Sequence, residues 1–294
     1  MEDVLHGLLV LDKPGGMTSR DAVTRAQRWF PRRTRLGHCG TLDPLATGVL
    51  VLCVGAATRL TEYVQNMSKT YHAGLLLGVR SDTDDADGTV TPAAVAQPPD
   101  RAAVERALDG FVGEIEQVPP AYSAAKVAGQ RAYDLAREGH EVSLKARRVR
   151  IDRVDVLAYA FPRLGLAVQC GKGTYIRSLA RDLGERLGCG AMVETLRRTR
   201  VGPFAAEQGL SLETDAEAAR RYLLPPSAAV AELPRVALGP AQAERLRQGQ
   251  PVPAGPAVSE GSVAVFGGAG ELVAVARVER GRLKSEKVLG PLSA

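Results

Sequence analysis

The apolar positions of the chain fall into a few short blocks with contrasting periods. Leu8-Leu9-Val10-Leu11 is a continuous apolar run that breaks at Asp12-Lys13-Pro14-Gly15-Gly16, which predicts a buried strand ending in a tight turn. Ala22, Val23, Ala26, Trp29 and Phe30 then recur at helical spacing, and Thr18 or Ser19 is placed to cap a helix that Pro31 ends. Residues 49–54 and 69–78 predict two further buried strands. Asp100 caps a helix that carries Val104, Ala107, Leu108 and Phe111 on one side.

The second half is more varied. Residues 119–150 form a basic, irregular insertion holding a short helix over 132–137. Long runs over 149–160 and 164–170 predict a strand pair joined near Pro162. An amphipathic helix is expected over 174–187, with Ile176, Leu179, Ala180 and Leu183 inward, another over 191–198, and a third over 216–224. After Pro225-Pro226 and near Leu233-Pro234 the character changes. Short apolar runs alternate with Gly/Pro-rich turns around one helix, 240–248, as in a small β-barrel-like module. The fold class expected is α/β in the mixed α+β sense, with a first domain over 1–230 and a second over 231–294.

The composition is that of an ordinary globular chain. Of 294 residues, 45% are hydrophobic and 24% charged, and the formal net charge of +5 suits a nucleic-acid partner without requiring one. Met1-Glu2-Asp3 opens no signal-peptide pattern and no apolar run approaches a membrane span, so a cytoplasmic protein with no membrane partner is expected. Cys39, Cys53, Cys170 and Cys189 form no CxxC pair, and neither zinc nor any other metal is expected. The acidic run Asp82-Thr83-Asp84-Asp85-Ala86-Asp87-Gly88 is not a calcium loop: with Gly88 at its sixth position, Ala94 falls where a Glu is needed. It reads as a solvated loop.

Candidate chemistry centres on Gly37-His38-Cys39-Gly40-Thr41-Leu42-Asp43-Pro44-Leu45-Ala46-Thr47-Gly48. Here one carboxylate sits on a Gly/Pro-rich turn that feeds a buried strand, a setting that holds a reactive group beside open space. Alone, such an Asp is an ordinary turn residue. Tyr71 lies on a strand beside Lys69. Arg177 stands at the start of an otherwise apolar helix, after Gly171-Lys172-Gly173-Thr174, which lacks the order of a phosphate-binding Walker loop. Arg131, Arg137, Lys145, Arg147, Arg148, Arg150 and Arg153, interleaved with Tyr122 and Tyr133, could neutralise phosphates and stack on bases.

Taken in order, these segments resemble the TruB family of tRNA pseudouridine synthases, which act on uridine-55 of the T-loop. Besides the Asp43 segment, the matching pieces are Leu11-Asp12-Lys13-Pro14-Gly15-Gly16, Ser68-Lys69-Thr70-Tyr71, Asp82-Thr83-Asp84, Pro119-Pro120-Ala121-Tyr122-Ser123-Ala124, Gly129-Gln130-Arg131-Ala132-Tyr133, Gly173-Thr174-Tyr175-Ile176-Arg177 and Leu196-Arg197-Arg198. The resemblance implies a catalytic domain around a large, largely antiparallel sheet, and a closing module of the PUA type. It implies that Asp43 is the catalytic aspartate, with Tyr71 packed on the target base and placed for proton transfer, and Arg177 paired with the aspartate. It further implies substrate-binding roles for His38, which enters the T-loop, Lys13, which supports the active-site loops, Leu196, a wall of the base pocket, Tyr175, and Asp82 at the rim. Arg131, Arg147, Arg148 and Arg150 become RNA contacts. The partner implied is the T-stem-loop of tRNA, bound by a monomer that needs no cofactor. Members of the family commonly carry a small or hydroxyl residue where this chain has Cys39.

The implied reaction breaks N1–C1′, turns the base over and forms C5–C1′, with no redox change and no atom lost. Attack at C1′, addition at C6 and a glycal route all use one carboxylate. The target must be flipped out of its loop at a cost of a few kcal/mol. Two other readings use the same residues. A non-catalytic RNA-binding protein would not need Asp43, Tyr71 and Arg177 together. A glycoside hydrolase expects a second catalytic carboxylate.

Overall fold

In the computed structural model, residues 5–123, 126–127, 130–131, 144–255 and 258–290 are described. The first half runs β1 (Gly7–Lys13), α1 (Ser19–Ala26), β2 (Leu36–His38), β3 (Thr47–Val54), α2 (Thr61–Asn66), β4 (Lys69–Leu77), β5 (Val79–Ser81), β6 (Val90–Pro92), α3 (Arg101–Asp109) and β7 (Gly113–Gln117). It continues with β8 (Lys126–Val127), β9 (Gln130–Arg131), β10 (Arg147–Ala160), β11 (Arg163–Cys170), α4 (Ile176–Arg186), β12 (Ala191–Val201), β13 (Phe204–Ala205) and α5 (Ala216–Arg221). The chain closes with β14 (Arg235–Ala237), α6 (Pro240–Arg247), β15 (Val252–Pro253), β16 (Gly261–Phe266), β17 (Leu272–Glu279) and β18 (Arg282–Val288). The helix expected over 132–137 lies outside the described residues.

A nine-stranded sheet carries the first part, in the order β1-β3-β12-β4-β11-β10-β7, with β2 added to β3 and β13 to β12. Its ladders are antiparallel except where β12 meets β3, through Arg197↔Thr47 and Arg198↔Gly48. The unbroken apolar run of β3 follows from burial on both faces. Leu50, Leu52 and Val54 join a core with Leu11, Trp29, Val104 and Leu179 from the helix-covered side. Val49, Val51 and Cys53 join a second core with Val10, Leu60, Phe204 and, from the closing module, Phe266 and Val275.

Caps and turns explain where the elements stop. Thr18 caps α1, one of the two residues expected to, and forms a reciprocal capping box with Asp21. The expected helix over 216–224 ends early, because Leu224 exchanges backbone hydrogen bonds with Leu8 of β1 (2.9 and 2.8 Å). Residues 191–198 are not a helix but most of β12. The ladder with β4 has two register shifts, at Val193/Thr195 and Arg198/Arg200, so after the buried start Ala191-Met192 the buried positions fall at Val193, Leu196, Arg198 and Val201. Each bulge adds a residue to the strand's period of two, and the resulting spacing imitates a helix.

The closing module is a five-stranded sheet, β14-β16-β17-β18-β15, packed with α6 around Leu246, Val263, Val265, Val273 and Leu283. Beyond the shared core it is tied to the first part by Arg59 Nη1 donating to the Val288 carbonyl (2.6 Å) and by a Lys287–Glu62 ion pair (3.0 Å).

Candidate active site

Asp43 sits on the turn between β2 and β3, and the turn is held from beneath. Lys13 is fully buried, and its Nζ donates to the carbonyls of Pro14 (2.8 Å), Met17 (2.8 Å) and Pro44 (3.4 Å). Ser19 Oγ accepts from the Leu42 amide at 2.8 Å. Arg198 is buried within the sheet and donates through Nε to Val49 (2.8 Å), through Nη1 to Thr41 (3.3 Å) and through Nη2 to Gly40 (3.1 Å). Two cationic side chains thus occupy the carbonyls of the loop, which leaves the Asp43 carboxylate directed away from them, with 32% of its side chain exposed.

Arg177, at the start of α4, reaches that carboxylate: Nε lies 2.9 Å from Asp43 Oδ2. The contact is an ion pair without hydrogen-bond alignment at Nε. The guanidinium itself is only 4% exposed and is fixed by the carbonyls of Thr83 and Tyr122, each at 2.9 Å, and by Asp85 Oδ2 at 3.3 Å. Burial pushes the Asp43 carboxyl above its ordinary range; Arg177 opposes this, and the negative charge of Asp85 reinforces it. Without the guanidinium, a recessed carboxylate beside a second one would favour its neutral form.

The two carboxylates have different surroundings. Asp85 is buried and accepts from Thr83 Oγ1 (2.6 Å) and from the Asp87 amide (3.1 Å). Asp84, at a positive φ of 61°, pairs with Arg181 at 2.9 Å. The acidic run is therefore a structured wall of the site, correcting its reading as a solvated loop. No sequence signal set Asp85 apart from its neighbours; its role comes from where Arg177 lies.

Asp43 and Arg177 lie between two cavities. One, of about 430 Å³, is lined by Asp43, Tyr71, Leu196, Arg177, Tyr175 and Arg198, among others. Tyr71 (β4) and Leu196 (β12) stand on adjacent strands, Tyr71 opposite Arg198 and Leu196 opposite Ala73. Burial raises the Tyr71 phenol above its ordinary value, Arg198 opposes that shift, and the phenol is neutral at physiological pH. Tyr175 is held at the rim by Gln117, which donates to its carbonyl (3.0 Å) and accepts from its amide (2.8 Å). Lys69, also on the wall, donates to the carbonyls of Gln65 and Met67, and burial lowers its pKa to about 8. The other cavity, of about 530 Å³, contains His38 with Thr41, Asp43, Asp85 and Arg177.

The remaining expected residues lie elsewhere. Lys13 lines neither cavity and acts from behind the loop; burial lowers its pKa to about 8, against the attraction of Asp43. Asp82 also lines neither, and its Oδ1 accepts from the Thr89 amide at 2.8 Å. Arg147, Arg148 and Arg150 are exposed on β10, and Arg150 pairs with Asp152 at 2.6 Å beside the Gly171–Thr174 rim. The side chain of Arg131 lies outside the described residues. Among the described residues no group of three or more His, Cys, Asp or Glu is arranged to hold a metal ion, and no helix is long and apolar enough to cross a membrane.

Comparison with known proteins places the chain in a family. Residues 28–176 match the TruB family pseudouridylate synthase (N terminal domain), 177–225 the tRNA pseudouridylate synthase B C-terminal domain, and 234–289 the pseudouridine synthase II TruB, C-terminal. A tRNA pseudouridine synthase B of Xanthomonas oryzae pv. oryzae is 44% identical over 98% of this chain and 96% of its own. Another, of Cupriavidus taiwanensis, is 44% identical over 97% and 94%. Among solved structures, a chain of a Cbf5-Nop10-Gar1 complex superposes with a TM-score of 0.76 at 26% identity, covering 97% of this chain and 85% of that one. Fold and family matches together show an isomerase of the pseudouridine-synthase class. Within that class, the chain belongs to the TruB family.

Proposed function

We propose that this enzyme isomerises uridine-55 in the T-loop of tRNA to pseudouridine, with Asp43 as the catalytic carboxylate. The observation that carries the reading is the Asp43–Arg177 pair at 2.9 Å, open to a cavity walled by Tyr71 and Leu196. The guanidinium opposes the burial that favours the neutral acid, and so favours the ionised, aimed carboxylate required for attack on the ribose or the base. Leu196 offers the base an apolar wall, and the Tyr71 phenol, held neutral, is suited to proton transfer at C5. His38, in the adjoining cavity, is placed to fill the space left by the flipped nucleotide. Exposed Arg147, Arg148 and Arg150 would meet the phosphates of the stem, and Lys13 serves by holding the catalytic turn.

The working form in this reading is a cytoplasmic monomer of two units, 1–230 for catalysis and 231–294 for further RNA contact. The test is Asp43→Asn assayed on a T-stem-loop and on whole tRNA, with pseudouridine mapped by position. Conversion should fall by more than about 10³-fold while stem-loop affinity stays within about threefold. Retained conversion by Asp43→Asn, or conversion by the wild type at another uridine, refutes the proposal.

A further inference from the structure

Cys39 and Cys53 are not used by the reaction, yet they stand together at the root of the catalytic loop. Their sulfurs are 3.1 Å apart and both side chains are buried. Cys39 directly precedes Gly40, whose carbonyl is held by Arg198. It is tied to β3 through its amide, which donates to Val51 at 2.8 Å. Cys53 lies in β3, opposite Gly37 of β2, on the same face of the ladder as Cys39. The remaining thiols, Cys170 and Cys189, belong to other strands and loops and have no cysteine partner among the described residues. Cys39 also stands where the family resemblance leads one to expect a small or hydroxyl residue.

We propose that Cys39 and Cys53 form a reversible intrachain disulfide that switches the catalytic loop off under oxidising conditions. The oxidant is a hydroperoxide. One thiolate attacks the peroxide oxygen, giving a sulfenic acid and releasing water or an alcohol; the second thiol then displaces the sulfenic hydroxyl as water. Two thiols and one peroxide become one disulfide, with the peroxide reduced. Either thiol of the contact can donate to the other, so either sulfur can make the first attack while its neighbour resolves the sulfenic acid. Access comes from β2, a three-residue edge strand that among the described residues pairs with β3 alone and whose residues are half-buried. Local opening of so short an edge costs far less than global unfolding.

The bond shortens the sulfur separation from 3.1 Å to roughly 2 Å. That draws Cys39 toward β3 and pulls on Gly40 and Thr41, whose carbonyls are fixed to Arg198. A displacement of about 1 Å at the Asp43 turn is enough to lower turnover by up to about 100-fold.

The test treats the purified full chain with hydrogen peroxide and maps it by non-reducing digestion. A Cys39–Cys53 cross-link should form, with loss of two hydrogens from the intact mass, and dithiothreitol should restore the free thiols. Conversion of the T-stem-loop should drop at least about fivefold on oxidation and recover on reduction, while Cys39→Ser and Cys53→Ser each become insensitive to this reversible loss. Sulfinic or sulfonic products in place of the link, a link to another cysteine, or no change at either thiol overturns the proposal. So does a link that leaves activity unchanged. Only the activity readout rests on the role proposed for Asp43, and Asp43→Asn tests that role separately; the mapped link does not depend on it.

Discussion

Replacing Arg177 by Met removes the guanidinium while keeping an unbranched apolar stem in its slot. At 2.9 Å the pair with Asp43 is worth about 5–6 kcal/mol at an effective dielectric near 20. A third of the Asp43 side chain is exposed, so solvent screens the pair to roughly half of that value, about 3 kcal/mol. Burial and Asp85 already push the Asp43 carboxyl upward, and removing Arg177 takes away the strongest group that opposes them. The acid limb of the pH–rate profile should therefore move to higher pH, and turnover at neutral pH should fall roughly 100-fold. Part of the loss should return at alkaline pH, where the carboxyl ionises again. Stability falls too, because buried Asp85 loses its cation, at a cost of about 3–5 kcal/mol. Adding Asp85→Asn should restore much of the stability and little of the activity. Single-turnover conversion across pH and urea unfolding read the two effects independently. An Arg177→Met enzyme with the wild-type acid limb and turnover within about threefold would refute the claim that this pair controls Asp43.

Two further outcomes follow from the same geometry. Tyr71→Phe keeps the ring on the cavity wall and removes only the hydroxyl; under the proton-transfer role proposed for it, stem-loop affinity should hold while single-turnover conversion drops by about 10²-fold or more. For Lys13, the folded pKa of about 8 lies below the ordinary 10.5, so between these values the unfolded chain binds more protons and stability rises with pH. Measured against Lys13→Met, so that other titrating groups cancel, the wild type should gain up to about 3 kcal/mol across that window in urea unfolding; a flat difference would rule out a desolvated Lys13.

The elements best read from the sequence are those whose side chains face one kind of surroundings. The apolar runs of β1 and β3 are buried on both faces, and α1 declares itself by its cap and its helical stripe. Asp43, Tyr71 and Arg177 were legible as an ordered set of motifs, and the fold brings them to one cavity. Two parts were hidden for physical reasons. The bulges of β12 break the period of two, so its burial pattern imitates a helix. Asp85 gains its function only from a guanidinium more than ninety residues away in sequence, a tertiary relation that no local spacing encodes. Asp82, the nearby carboxylate that the motif favoured, is occupied with its own turn.

The same bulged strand explains why the site needs so tight a scaffold. With two ladder shifts, β12 directs Leu196 and Arg198 to the cavity, while Arg197 between them pairs with Asp12 at 2.8 Å and lines a separate groove. Arg198 can reach the carbonyls of the Asp43 loop only if β3 runs directly against β12. Gly48 makes that possible: its φ is +99°, and a Cβ there would lie 2.2 Å from the Arg198 carbonyl oxygen. The glycine that ends the Asp43 motif thus serves the strand behind it. It permits the close parallel contact that lets one buried arginine hold the loop carbonyls, which in turn leaves Asp43 free to pair with the other arginine.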